Sequence, residues 1–171
     1  MSATQSGVVD AFRASLDRVS AGHTTTTPSE FGDVLSDVVD APAVGAPLPF
    51  SDLSLPASVE TDPTPSDLEA AASGVTAARC AIADYGSIVL ESTPDGVEQS
   101  SLFPDEHVAV LRAADVHPDM PAAFGELGDV LRDGGSAVIA TGPSATADMG
   151  DLVLGAHGPA SVHVIIVEDE P

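Results

Sequence analysis

Lysine and tryptophan are absent from the 171-residue chain, cysteine and tyrosine occur once each, and aromatic residues make up only 4% of it. The lone Cys80 excludes an intrachain disulfide and an iron–sulfur cluster built by this chain alone, and it reads as an inert core residue. With so few aromatics, the 43% hydrophobic content has to come from Val, Ala, Leu and Ile, which suits a sheet covered by closely packed helices. No run approaches the ~20 apolar residues of a membrane span, and the N-terminus carries neither a basic patch nor an apolar stretch, so a soluble cytoplasmic protein is expected. Basic charge is scarce too. Five arginines face 27 acidic residues, a formal net charge of -22, which argues against nucleic acid as a partner. The acids are scattered through hydrophobic sequence rather than bunched in a tail. That scatter points to a folded protein in a cytoplasm of molar salt, where the screening length falls to about 3 Å.

One domain spanning residues 1–171 is the economical reading, with a helical lead-in over 1–40, a proline-rich loop over 41–65 and an α/β core over 66–168. Val8, Val9, Phe12, Leu16 and Val19 recur at helical spacing, as do Phe31, Val34, Leu35, Val38 and Val39. The threonines at 24–27 read as a connector between these two helices. Pro42, Pro47, Pro49, Pro56, Pro63 and Pro65 exclude a long helix and leave room for a short strand at most. Ser66 is placed to cap a helix over 67–72, and residues 81–91 fold back as a β-hairpin through Asp84, Tyr85 and Gly86. A strand is expected over 107–113, then a helix opened by Pro118 and stopped by Gly134 and Gly135. Residues 137–140 read as a short buried strand and 162–167 as another. Between them lies a polar, glycine-punctuated loop, held where open α/β sheets bind ligands.

That loop reads G-P-S-A-T-A-D at 142–148 and L-G-A-H-G-P at 154–159. Upstream stand A-I-A-D-Y-G-S-I-V-L at 81–90 and S-L-F-P-D-E-H-V at 101–108. These three ordered blocks resemble the LUD-domain family, specifically the lactate-utilization protein C type, and the resemblance covers roughly residues 75–168. It implies an α/β fold with a mostly parallel sheet and flanking helices, similar to the ribose-phosphate isomerase and coenzyme A transferase fold. It also implies a subunit or accessory protein that supports oxidation of L-lactate to pyruvate, with the iron–sulfur clusters in partner proteins. Ala145 and Ala160 stand where the family usually carries basic residues.

Gly142 and Pro143 are expected to turn the chain off its strand, with Ser144, Thr146 or Asp148 capping a short helical turn whose N–H groups attract a carboxylate or other anion. Asp148 is a candidate general base, hydroxyl acceptor or metal ligand, or else a carboxylate that caps the turn or pairs with Arg79 or Arg112, with Asp151 placed at i+3 to share a helical face. His157, between Gly155 and Gly158, is the preferred acid/base candidate, since imidazole exchanges protons at physiological pH. The catalytic candidates are therefore Asp148 and His157. Gly142, Ser144, Thr146, Gly155, Gly158 and Asp84 are the ligand-binding candidates. No histidine pair has metal-site spacing, so no metal is assigned. The G-x-S-x-G elbow, the P-loop and G-x-G-x-x-G are all missing, which removes ordinary hydrolases, nucleoside triphosphatases and dinucleotide-dependent dehydrogenases. Two other readings stay open: a small-molecule enzyme of the same fold acting on sugar phosphates or folates, and a non-catalytic scaffold.

Overall fold

Strand β1 (Gly22–Thr26) succeeds helix α1 (Ala3–Arg18) and precedes α2 (Phe31–Val38) in the computed structural model, which describes residues 3–148 and 151–169. The threonine run is thus a strand and not a connector. Its β-branched side chains favour the pleated backbone, and its register against the last strand, Gly22 opposite His163 through Thr26 opposite Val167, supplies the pairing that the sequence alone does not display. The proline-rich stretch contributes β2 (Ala43–Gly45) and β3 (Val59–Glu60). Helix α3 (Pro65–Ala70) is capped by Thr64 rather than Ser66: Thr64 accepts from the Asp67 N–H and the Asp67 carboxylate accepts from the Thr64 N–H. A proline at the first helical position has no N–H to lose, so the cap moves one residue ahead of it.

Strand β4 (Ser73–Ala77), β5 (Cys80–Ile82) and β6 (Ser87–Glu91) come next, with β5 and β6 forming the expected antiparallel hairpin. After them the chain runs through α4 (Val97–Leu102), β7 (Glu106–Arg112), a 3-10 turn and β8 (Val116–His117). Helix α5 (Met120–Arg132) starts at Asp119, whose carboxylate accepts from the Ala122 N–H, so Pro118 lies outside it and Pro121 occupies the first turn. Gly134, at φ 84°, ends it as expected. The chain closes with β9 (Ala137–Thr141), β10 (Ala145–Asp148), β11 (Asp151–Leu154) and β12 (Ser161–Val167).

Six strands form one sheet in the order β1-β12-β7-β4-β2-β3, with every pairing parallel. Half of its strands, β1, β2 and β3, come from the first sixty residues, so that part of the chain is sheet as well as helical lead-in. Alternate residues of the central strands feed opposite layers. Val108, Val110, Ile165 and Val167 pack with Phe31 and Leu35 of α2, whereas Ala109, Leu111, Val164 and Ile166 pack with Val9, Phe12 and Leu16 of α1. A second sheet, β8-β5-β6-β9, lies on the α1 side and takes α5 on its outer face through Cys80, Ile82, Val89, Ala123 and Leu127. Strand β9 belongs to this smaller sheet and is half-exposed, so residues 137–140 are an edge strand and not a buried one. Among the described residues no helix is long and apolar enough to cross a membrane.

Candidate functional site

The glycine-rich segment leaves β9 through Gly142, whose φ of 64° requires the left-handed region and whose Cα faces the Val19 carbonyl so closely that a Cβ would lie 2.4 Å from it. Beyond it the chain forms no helical turn but the β10–β11 hairpin, with Ala145 opposite Leu154, Thr146 opposite Val153 and Ala147 opposite Leu152. An alternating small and β-branched run finds strand partners in Leu152, Val153 and Leu154, and pairing outweighs the capping potential of Ser144 and Thr146. The anion site expected at a helix N-terminus is therefore absent among the described residues. Asp148 and Asp151 face each other across the hairpin instead of sharing a helical face. The Asp148 side chain lies outside the described residues.

The base of the hairpin is tied by Ser144 N–H to the Pro159 carbonyl at 2.9 Å and by Gly155 N–H to the Ser144 carbonyl at 3.0 Å. These bonds bring Gly142, Ser144, His157 and Gly158 to one pocket of about 220 Å³, walled by Leu102, Val138 and His107. Thr146, Gly155 and Asp84 do not line it. Asp84 sits at the β5–β6 turn, where its carbonyl accepts from Arg18. The pocket lies where β7 and β12 begin, beside His107 and Val162, which is the opposite end of the sheet from the strand ends expected. His157 is exposed there. His107 is buried, its Nε2 2.8 Å from Thr76 Oγ1, and burial pushes its pKa down to about 4.

At the carboxyl ends of the parallel strands there is a larger cavity, about 470 Å³, reached by Phe50, Ala77, Arg79, Glu91, Asp115 and Glu126. Arg79 Nη1 donates to Glu91 Oε2 at 2.8 Å, and its Nε lies 3.5 Å from Glu126 Oε1. The other Glu126 oxygen is 2.5 Å from His117 Nε2. Burial, then the charge of Glu126, raises the Asp115 pKa, while His117, Arg112 and Arg79 oppose the shift. Behind them the Cys80 thiol is pushed up to about 12, first by burial and then by Glu126, so it carries its proton at neutral pH. Thr93 Oγ1, on the same wall, is buried without a hydrogen-bond partner among the described residues. Arg112 stacks 5.0 Å over the Phe50 ring and pairs with Asp52. None of these groups stands out in sequence. They are spread from residue 50 to 126, and the one available signal was Arg79 just after the β-rich run 73–77.

A parallel α/β sheet backed by a smaller mixed sheet, with cavities at both strand ends, is the class of protein this chain represents. The same fold occurs in the crystal structure of a DUF162 family protein from Deinococcus radiodurans, with a TM-score of 0.72 and 20% identity over 95% of this chain and 98% of that one. The chain matches the LUD domain over residues 23–167 and belongs to the LUD-domain family. It is 36% identical to lactate utilization protein C of Bacillus licheniformis over 56% of this chain and 42% of that protein. It is 31% identical to the protein of the same name from Deinococcus radiodurans, over 72% of this chain and 59% of that protein. The chain thus spans about half the length of the curated relatives it matches.

Proposed function

We propose that this chain serves lactate utilization, as a C-type component that supports the oxidation of L-lactate to pyruvate in the cytoplasm alongside iron–sulfur partner proteins. The observation that carries the reading is the LUD-domain match together with relatives named lactate utilization protein C. The conversion breaks the O–H bond and the C–H bond of the hydroxyl-bearing carbon, removing two protons and two electrons in all. A chain with one buried cysteine offers no thiolate set for a cluster, so the electrons pass to centres on the partners. The share of this chain is to bind the small carboxylate or to assemble the complex. In the 220 Å³ pocket, Ser144 and His157 are the groups available to donate to a carboxylate, with Leu102 and Val138 beside the methyl group. A second reading, a small-molecule enzyme working at the 470 Å³ cavity, is favoured by the position of that cavity at the carboxyl ends of parallel strands.

Growth on L-lactate as sole carbon source separates these readings, using a strain without other lactate dehydrogenases from which this gene is deleted. The lactate reading predicts a defect restricted to lactate, rescued by wild type and not by the Asp148→Ala, His157→Ala double variant. Rescue by that variant, with failure of Arg79→Ala, moves function to the larger cavity. Undiminished growth without the gene overturns the lactate reading.

A further inference from the structure

Cys80, His117 and Glu126 are far apart in sequence but come from three elements that meet behind the larger cavity. Parallel pairing sets Ile82 opposite His117, and alternation then puts Cys80, Ile82 and His117 on one face of the small sheet. Helix α5 covers that face through Ala123 and Leu127, and Glu126 stands on the same side one residue before Leu127. One ligand atom from each residue, the thiol sulfur, an imidazole nitrogen and a carboxylate oxygen, lies within 4.8 Å of the other two. The thiol is fully buried and has no hydrogen-bond partner among the described residues, yet it abuts the His117–Glu126 pair, which is held at 2.5 Å. Core packing alone does not call for that neighbourhood, since a small apolar side chain fills the space beside Ile82, Val89 and Ala123 equally well.

We propose that Cys80, His117 and Glu126 form a binding site for a divalent transition-metal ion of the zinc class, opening onto the 470 Å³ cavity through Glu126. A sulfur, nitrogen and oxygen donor set suits such an ion and disfavours magnesium or calcium, which take oxygen ligands. Three protein ligands leave a coordination position for water or for a ligand in the cavity, the arrangement that makes a zinc ion reactive rather than merely structural. Binding displaces the thiol proton and breaks the His117–Glu126 hydrogen bond. Ligands bound at ~2.0–2.1 Å in a tetrahedral array stand roughly 3.3 Å apart, so Glu126 has to draw back from His117 by less than the length of a bond. It has the freedom to do so, because its side chain is partly exposed and, among the described residues, its other oxygen is held only by Arg79 at 3.5 Å. Asp115, on the cavity wall, is available to accept from a metal-bound water.

The site stands independently of the lactate assignment and is tested on the full chain in molar potassium chloride, where adventitious binding to the acidic surface is screened. Titration with Co²⁺ is expected to give a single-site thiolate-to-cobalt charge-transfer band, displaced by Zn²⁺. Glu126→Gln and His117→Ala should each weaken Zn²⁺ binding by about tenfold or more, and Cys80→Ala should abolish the band. Glu126→Gln, altered at a partly exposed residue, keeps the test valid if Cys80→Ala does not fold. Absence of the charge-transfer band in wild type overturns the site. So does Zn²⁺ affinity that is unchanged in His117→Ala and Glu126→Gln, which assigns the binding to surface carboxylates.

Discussion

His107 shows how one buried side chain sets a pH response. It is 2% exposed in the middle of the parallel sheet, paired with Thr76, and its pKa of about 4 lies below the ordinary value of 6.5 because burial disfavours the charged ring. The folded chain therefore leaves His107 neutral while the unfolded chain takes up a proton below pH ~6.5, so the unfolded state binds more protons. Stability contributed by this residue is intact above 6.5 and is lost as pH falls from there towards about 4. His163, lowered by burial and then by His23, acts in the same direction. We expect the urea midpoint to fall between pH 7 and pH 5, by less in His107→Gln than in wild type. Equal slopes in the two proteins would remove His107 as the source. The second block of the family resemblance, residues 101–108, contains this histidine, but only the fold shows that its Nε2 is paired with Thr76.

Packing of α4 on β4 depends on the absence of one methyl group. A Cβ at Gly74 would lie 1.8 Å from the Ser100 carbonyl oxygen and 2.8 Å from Pro104 Cγ. Neither the backbone carbonyl nor the proline ring can swing aside, so Gly74→Ala should destabilise by at least about 2–3 kcal/mol. Gly7, exposed within α1 and with nothing within 4 Å of its Cβ position, provides the contrast. Gly7→Ala should stabilise by up to about 1 kcal/mol. Denaturant unfolding of both variants checks the pair, and a mild effect at Gly74 would mean that α4 docks more loosely on β4 than these contacts require. The elements read most directly from the chain are those with strong local periodicity: α1, α2, the 81–91 hairpin, β7, α5 and β12. Those misread, β1 and β10, are polar or small-residue runs whose strand character comes from the strand each pairs with, β12 for β1 and β11 for β10. The site candidates share that fate. His157 reaches a pocket with Ser144 and Gly142, whereas Thr146, Gly155 and Asp84 are turned to other surroundings by the two hairpins.

Charge is a property of the entire chain. Every arginine is already engaged: Arg13 with Asp10 and Glu168, Arg18 with Ser15 and the Asp84 carbonyl, Arg79 with Glu91, Arg112 with Asp52, and Arg132 with Asp129. With 27 acidic residues against five arginines, carboxylates far outnumber the cations that can neutralise them, and their mutual repulsion favours expansion at low ionic strength. Raising potassium chloride from about 0.1 M to about 1 M shortens the screening length from about 10 Å to about 3 Å, so the melting temperature should climb steeply across that range. A melting temperature that stays level would show that apolar packing, not repulsion, limits stability.

Composition and three short motifs were enough to determine the α/β class and the family, because each depends on residue type or on neighbours along the chain. Which residues form a site was decided by tertiary structure. Cys80, His117 and Glu126 converge only through the β5–β8 register and the docking of α5, and the Arg79 cavity exists only where parallel strands end together. Long-range pairing, unlike periodicity, leaves no local trace in the order of amino acids.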